Sequence, residues 1–577
     1  MRILGLSFCR HDRSAALLED GNIVAAIEDA KLSRSDVQGL PEAAIEFCLA
    51  RNGTGWHELD AIAFATRPLQ SWARRSWAVG RMACFSPKTT AYYEANELGL
   101  LAADLSSLRL LGHQVRNSSC ELLHLDHHLC HAACAFYCSP FDRALILTTD
   151  GNGDGRAGLI AIGEGTRIRV LKTIPAPHSL AWVYSQITEL LNFLSHKEEH
   201  KTQWLSLEGE PVFKRVFRNM FRNPREMVPQ LDYSFVEYGP TGRFVLSSKL
   251  FRETGLPENR TDLSDDQRRA LASSVQQSCT EIVLDILHYY RKQHGINQIC
   301  LAGGLFQNVL LVSEIEKQLG LNQVFVPPAP GNAGCALGAA LLLWHHIHGQ
   351  PRRDTGPGNY WGPAYSQHEI KDILDNYKSR YSIPNTSERK NDATLQLLHA
   401  GKVVGWFQGP AEFGPRALGN RSLLASPWAA YVKENLNEYI KHREWFRPFA
   451  ISVPEEDCPR YFEFSQLCRS MNSLGWVRAN ADSIPGNFCL PGGRIRLHVV
   501  QRSSNLNFWN LLKRFGERAP APMLLNTSFN LAGEPLVTRP RDALRSYFCS
   551  GIDALVIGNF VLSKARLPQK SLIASTA

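Results

Sequence analysis

The sequence predicts an α/β protein: an N-terminal duplicated, actin-like or RNase-H-like split domain, followed by a separate α+β domain. Three observations carry this. Residues Ile3 to Ile27 read as strand, polar turn and hairpin. Residues Leu145 to Ile162 repeat that plan as strand, Gly-rich turn and return strand. The stretch Gln350-Pro-Arg-Arg-Asp-Thr-Gly-Pro-Gly358 is the clearest linker. It places one domain over 1–350, a linker over 351–364 and a second domain over 365–577.

Composition narrows the function classes. A chain of 577 residues is expected to form at least two domains. Its 44% hydrophobic and 20% charged content is that of an ordinary globular protein. A net charge of +8 is mild at this length; it does not call for nucleic acid and suits small anionic substrates as well. The opening Met-Arg-Ile-Leu-Gly-Leu is too short an apolar run for a signal peptide, and no stretch is long enough to span a bilayer. Fourteen scattered cysteines suggest reduced thiols and a cytoplasmic location.

Taken in order, Ile3 to Phe8 is a strand and His11-Asp-Arg-Ser14 a polar turn. Ala15 to Leu18 and Ile23 to Ile27 pair across Glu19-Asp-Gly-Asn22. Residues 67–115 read as an insertion whose Trp72-Ala-Arg-Arg-Ser-Trp77 stretch fits a solvated helix or lid better than a nucleic-acid contact. Leu125 to Cys138 is a short helix rich in small residues, with His127 and His131 stacked one turn apart. His128 points about 100° away from His127 and is expected to be a bystander. The strand after it ends in Asp150-Gly-Asn-Gly-Asp-Gly155, where glycines let backbone approach a phosphate or ion. Two imidazoles and a carboxylate suit iron, zinc or manganese. Cys130, Cys134 and Cys138 are read as packing residues.

Further on, Lys214 to Arg222 is basic and amphipathic, expected to be half-buried. Asp265 to His288 is a long helix with Ser264 as N-cap and Gln267 completing a capping box. Ile299 to Asn308 is strand, Gly pair and helix, an arrangement that brings backbone near a nucleotide. Pro330 to Ala340 opens a small-residue helix. The duplicated plan sets two phosphate-facing loops across a cleft, as in an actin-like ATPase. The second domain concentrates cations and amides in Glu412–Ser422, Lys441–Pro448, Gly493–Arg496 and Asn526–Asn530. Arg and Lys held by Gly/Pro turns suit a small polyanion, each charge-assisted bond contributing about 1.5–3 kcal/mol.

These strings resemble the ATP-dependent O-carbamoyltransferases of antibiotic, toxin and nodulation-factor biosynthesis. The resemblance spans nearly the whole chain. Its markers are His11-Asp-Arg-Ser-Ala-Ala, His127-His-Leu-Cys-His-Ala-Ala, Asp150-Gly, Ala302-Gly-Gly, Gly338-Ala-Ala, Glu412-Phe-Gly-Pro-Arg-Ala-Leu-Gly-Asn-Arg-Ser, Arg443-Glu-Trp-Phe-Arg-Pro-Phe-Ala and Asn526-Thr-Ser-Phe-Asn. It implies an N-terminal metal- and nucleotide-binding domain like that of the tRNA threonylcarbamoyl-transfer enzymes. It also implies a C-terminal domain like their carbamoyl-adenylate-forming partner. Carbamoyl phosphate and ATP would give carbamoyl-adenylate, and a hydroxyl of a small-molecule acceptor would then take the carbamoyl group.

The implied cofactors are ATP with Mg2+ and a divalent ion, Fe2+ by preference, on His127, His131, Asp150 and Asn332. His11 would be the general base. Gly151, Gly303, Gly304 and Asn308 would lie at the N-terminal nucleotide. Arg416, Arg421, Lys441, Arg443, Arg447 and Arg496 would hold phosphates, with Asn526, Thr527, Ser528 and Asn530 around the carbamate. The resemblance leaves a homodimer as one option, and neither membrane nor nucleic acid is expected as a partner.

Three departures stand out. Asn332 replaces the family's usual Asp, which implies weaker metal binding or a shell completed by nucleotide phosphates. His200-Lys-Thr-Gln-Trp-Leu-Ser206 and Gly492-Gly-Arg-Ile-Arg496 also differ from the family strings. Competing expectations are carbamoyl transfer to tRNA-bound threonine, and a degenerate non-catalytic nucleotide- or metal-binding protein.

Overall fold

The structure, a computed structural model, describes residues 1–8, 12–35, 39–82, 87–116, 118–222, 225–238, 244–356, 358–384, 386–479, 481 and 483–564. The chain divides into two compact units. The first comprises Met1–Trp361, Phe413–Pro415 and Phe464–Leu474, and the second comprises Gly362–Glu412, Arg416–Glu463 and Gly475–Ala577. Two short excursions from the C-terminal half thus belong to the first unit. Glu28 accepts the Gly414 amide at 2.9 Å, and Asn472 Nδ2 donates to the Pro327 carbonyl at 2.9 Å.

The first unit is an α/β duplication. β1 (Arg2–Ser7), β2 (Ser14–Glu19), β3 (Asn22–Glu28), β4 (Ala61–Phe64) and β5 (Glu121–His124) form a sheet of order β3-β2-β1-β4-β5. The hairpin pairs are antiparallel, and β1, β4 and β5 run parallel. β6 (Arg143–Gly153), β7 (Arg156–Glu164), β8 (Arg167–Pro175), β9 (Ile299–Ala302) and β10 (Val324–Phe325) repeat it in order β10-β9-β6-β7-β8, with the same mixture of directions. This repeated order is the RNase-H-like plan expected from the two strand–turn–strand segments.

Two small-residue helices lie at the heart of this unit: α1 (His127–Tyr137) and α3 (Gly334–Leu341). They meet closely because α3 offers glycine at the crossing. A Cβ on Gly338 would stand 1.9 Å from the Cys130 carbonyl oxygen, and one on Gly5 would stand 1.9 Å from that of Ala336. Only hydrogen fits at either contact. Ala and Cys in both helices, with Gly in α3, therefore reflect backbone approach rather than a thiolate cluster; the described cysteines form no disulfide.

Between them in sequence runs α2 (Asp265–His294), six residues longer than expected, with the predicted Ser264–Gln267 capping box and a left-handed Gly295 at its end. The basic helix Lys214–Met220 rests on it through Lys214–Glu281 at 2.9 Å and Arg218–Asp285 at 2.8 Å, so its charge is met within the fold. The 67–115 region forms helices Pro68–Met82 and Pro87–Gln114, residues 83–86 lying outside the described set. Arg74 of the basic stretch donates to the Asp154 carbonyl at 3.1 Å.

The second unit is built on a seven-stranded sheet. Its strands are β11 (Val404–Phe407), β12 (Arg421–Ala425), β13 (Ala450–Pro454), β14 (Leu497–Val500), β15 (Leu524–Ser528), β16 (Ala554–Ile557) and β17 (Phe560–Ser563), in order β14-β13-β15-β12-β11-β16-β17. Trp406, Leu424, Phe508, Leu512, Phe515 and Val556 form its apolar core. Among the described residues of either unit, no helix is long and apolar enough to cross a membrane.

Candidate functional site

The N-terminal cluster starts from the cap of α1. Asp126 caps the helix and is held by Arg156 at 2.7 Å, so His127 and His131 project from its first and second turns. Nε2 of His127 lies 3.4 Å and Nε2 of His131 lies 3.8 Å from Asp150 Oδ2. All three residues are buried.

Burial alone would lower the His127 pKa, but the Asp150 carboxylate outweighs it and the net shift is upward. For His131 burial wins and the shift is downward. Burial would raise the Asp150 pKa, yet the two imidazoles hold it well below the ordinary carboxylate range.

Asp150 does not stand in the turn that the glycine run suggests. The strand continues through it to Gly153, and the tight turn is Asp154–Gly155, both with positive φ. The β6–β7 register breaks between Thr149 and Gly153, and that irregularity accommodates Asp150. The Gly304 amide lies 3.4 Å from Asp150 Oδ1. A Cβ on Gly303, at φ +103°, would collide with the Thr149 carbonyl oxygen at 2.1 Å. Backbone beside Gly151 borders open space, since a Cβ there would meet nothing within 4 Å.

Asn308 is a structural residue here. Its Oδ1 caps the helix Val309–Leu319 by accepting from Leu311 at 3.0 Å, and its Nδ2 donates to Gln276 Oε1 at 2.7 Å. That leaves its amide engaged within the fold, away from the nucleotide contact expected of it. His128 is likewise structural, bonded to Thr148 Oγ1 at 3.0 Å and to the Arg156 carbonyl at 3.1 Å. His11 lies outside the described residues. Asn332 is buried and lies beside His131.

A divalent ion fits this group. Nε2 of His131 is buried and has no hydrogen-bond partner. Two imidazoles with one carboxylate match the donor preferences of Fe2+, Zn2+ or Mn2+. Cys335, which motif reading passed over, also belongs here: its Sγ and the ligand nitrogens of His127 and His131 lie within 4.8 Å of one another. Its i+3 spacing from Asn332 was the available signal.

In the second unit, Arg416, Arg443, Arg447, Arg496 and Lys441 converge. Burial lowers the pKa of Arg496 most, and the neighbouring Arg416, Arg443 and Arg447 add repulsion. Arg416 is pushed down to about 10 and Arg443 to about 9, each by burial first and by Arg447 second. Lys441 is lowered by burial, then by Arg443 and Arg447. Its Nζ donates to Ser528 Oγ at 3.1 Å and Asn530 Oδ1 at 2.7 Å, and to the Ser528 carbonyl. Arg443 Nη2 is buried without a hydrogen-bond partner.

Asn526 donates to the Ala417 carbonyl at 3.2 Å and to Ser452 Oγ at 3.1 Å, while its Oδ1 is buried without a partner. His498, another residue motif reading missed, sits 3.3 Å from Asn526 Nδ2 and 2.9 Å from Ser452. Thr527 is half-buried on the same strand.

Arg421 is set apart from these cations. Its guanidinium is fully buried, donates to the carbonyls of Gln408, Gly409, Asn420 and Pro363, and stacks 3.7 Å from the Phe407 ring. This carbonyl cage replaces the phosphate contact expected of it. Glu412 supports the same turn, accepting from the amides of Leu418, Asn420 and Arg421 at 2.8–3.1 Å.

Comparison with known proteins agrees with this division. The family model "Carbamoyltransferase N-terminus" matches residues 2–341, and "Carbamoyltransferase C-terminus" matches 395–564. Nodulation protein NolNO of Sinorhizobium fredii is 33% identical over 96% of this chain and 79% of its own length. The 3'-hydroxymethylcephem-O-carbamoyltransferase of Amycolatopsis lactamdurans is 32% identical over 42% of this chain and 44% of its own length. Among solved structures, T. kodakarensis HypF is similar over 60% of this chain and 48% of that chain, at 14% identity and a TM-score of 0.33. That last likeness is partial, and the fold rests on strand order instead. The chain belongs to the carbamoyltransferase family and is an enzyme of the transferase class.

Proposed function

We propose that the protein is an O-carbamoyltransferase that makes carbamoyl-adenylate from carbamoyl phosphate and ATP, and passes the carbamoyl group to the hydroxyl of a small molecule. The observation that carries the reading is the convergence of Arg416, Arg443, Arg447, Arg496 and Lys441. Arg447 pairs with Glu444 at 3.6 Å, and the close grouping of buried cations around it suits a bound polyanion.

Phosphates held among these side chains would be fixed by charge-assisted bonds, with Arg443 Nη2 a ready donor. The unpartnered Asn526 Oδ1 suits the N–H of a carbamoyl or carbamate group, and Lys441 holds Ser528 and Asn530 in place around it. Hydrolysis of carbamoyl phosphate would leave carbamate and phosphate. A carbamate oxygen would then attack the α-phosphorus of ATP, expelling pyrophosphate.

The acceptor hydroxyl would attack the carbamoyl carbon of the adenylate at the His127–His131–Asp150 site, AMP leaving with the bonding electrons. His11 is the candidate to take the hydroxyl proton. A divalent ion bound by His127, His131 and Asp150 would supply Lewis-acid polarisation of the carbamoyl oxygen. The Gly304 amide positions Asp150, and the Ala65 carbonyl orients His127. The relative named as a 3'-hydroxymethylcephem-O-carbamoyltransferase supports a small-molecule acceptor.

The deciding measurement is pyrophosphate release from ATP with and without carbamoyl phosphate, at controlled Fe2+ and without acceptor. Release that depends on carbamoyl phosphate and is lost in Arg496→Ala is expected. No release from folded, ATP-binding, metal-loaded protein would overturn the reading in favour of a non-catalytic one.

A further inference from the structure

The geometry points to Cys335 as an additional ligand of the His127–His131–Asp150 centre, its thiolate supplying the second negative charge that Asn332 does not. This rests on reading that cluster as a metal site.

Position is the first argument. Among the described residues, the group of mutually close metal-binding donors is His127, His131 and Cys335, all buried, with donor atoms within 4.8 Å of one another. On a tetrahedral ion with bond lengths of roughly 2.3 and 2.1 Å, a thiolate sulfur and an imidazole nitrogen sit about 3.6 Å apart. Side-chain movements of about 1 Å close the set on an ion. The frame that holds the donors is rigid, because α3 carries Cys335 and is pinned against α1 by the Gly338–Cys130 contact and against β1 by the Gly5–Ala336 contact.

Charge is the second argument. Two neutral imidazoles and one carboxylate leave a divalent ion with one uncompensated positive charge in a buried site, and an asparagine amide adds none. A thiolate brings the centre to neutrality. Cys335 stands in the first turn of α3, and coordination itself would deprotonate its buried thiol. In its protonated form the thiol has one weak contact, 4.0 Å to the His127 carbonyl oxygen.

The chemical consequence is selectivity. A thiolate among imidazoles favours Zn2+, Fe2+ or Co2+ over Mg2+ and Mn2+, and exposes the centre to oxidative loss of the ligand.

The test uses the full-length protein, stripped of metal and titrated with Co2+. The expected spectrum has visible ligand-field bands together with a near-ultraviolet thiolate-to-cobalt charge-transfer band. Cys335→Ser should lose the charge-transfer band, keep the ligand-field bands and weaken Zn2+ binding by about 100-fold, the upper end of what outer-shell changes cost. Ligand-field bands without charge transfer in the wild type, or a charge-transfer band that survives in Cys335→Ser, would overturn the assignment while leaving the metal centre standing. Failure of the folded wild type to bind Co2+ at all would remove both. Should Cys335→Ser misfold, X-ray absorption of the wild-type zinc form decides: a Zn–S shell supports the assignment and an all-N/O shell overturns it.

Discussion

Nδ1 of His127 lies 3.2 Å from the carbonyl oxygen of Ala65. A carbonyl only accepts, so Nδ1 carries the proton, and Nε2 is the nitrogen that faces Asp150, 3.4 Å away. The ring orientation is fixed by a backbone group that no substitution of side chains removes.

From this follows a contrast between adjacent histidines. His127→Gln should lower retained metal at least about 10-fold after chelator challenge, together with some loss of stability from its bond to the Ala65 carbonyl. His128→Gln should keep its metal and lose about 1–3 kcal/mol of stability, because its bonds to Thr148 and Arg156 are internal. Metal analysis and denaturant melts of both variants check this; a metal-free His128→Gln of normal stability would contradict it.

Asn332 offers the converse experiment. Asn332→Asp adds a carboxylate beside His131 and should raise metal occupancy in the absence of nucleotide. Equal occupancy in wild type and variant, with and without nucleotide, would show that the Asn has no bearing on metal affinity.

The cation cluster should trade stability for binding. Arg496→Met removes a charge that Arg416, Arg443 and Arg447 repel, so the ligand-free protein should melt higher. Pyrophosphate at 100 times its Kd should stabilise the wild type by about 2.7 kcal/mol and the variant far less. Thermal melts with and without pyrophosphate read both effects. A variant that melts lower without ligand would mean the repulsion is already relieved within the protein.

His498 should impose an acid limit on the second unit. Burial pushes its pKa down to about 3, against about 6.5 in an unfolded chain. Above pH 6.5 both states are neutral and the residue contributes no pH dependence. As pH falls from 6.5 toward 3, only the unfolded state takes the proton, so stability is lost, about 2 kcal/mol by pH 5. His498→Gln should be less stable than wild type at pH 7, because its bonds to Ser452 and Asn526 are disturbed, yet lose less on acidification. Denaturant midpoints at pH 7 and pH 5 give the comparison; an equal drop in both proteins would count against it.

The histidine and carboxylate cluster of the N-terminal unit was legible where chemistry is local. A histidine pair one helical turn apart and a carboxylate on the next strand announce themselves by spacing, and the structure brings them together. Asn308 and Arg421 were misread because sequence shows residue type and not partner. An N-cap already bonded to Gln276, and a guanidinium already ringed by carbonyls, look the same in one dimension as free ligands. Arg416, Arg443, Arg447 and Arg496 come from three segments, and their convergence depends on strands β12, β13 and β14 meeting in one sheet.

The sequence by itself determined the repeated strand–turn–strand plan, the capped long helix, the small-residue helices and the clustering of histidine with carboxylate, since each is written in periodicity, capping or spacing over a few residues. Only the tertiary structure decided that Asp150 sits in a strand irregularity, that Cys335 joins His127 and His131, and that His498 supports Asn526. The last two relations span separations of 208 and 28 positions. They depend on how closely backbones approach, which at Gly338 and Gly5 comes down to the absence of a single methyl group.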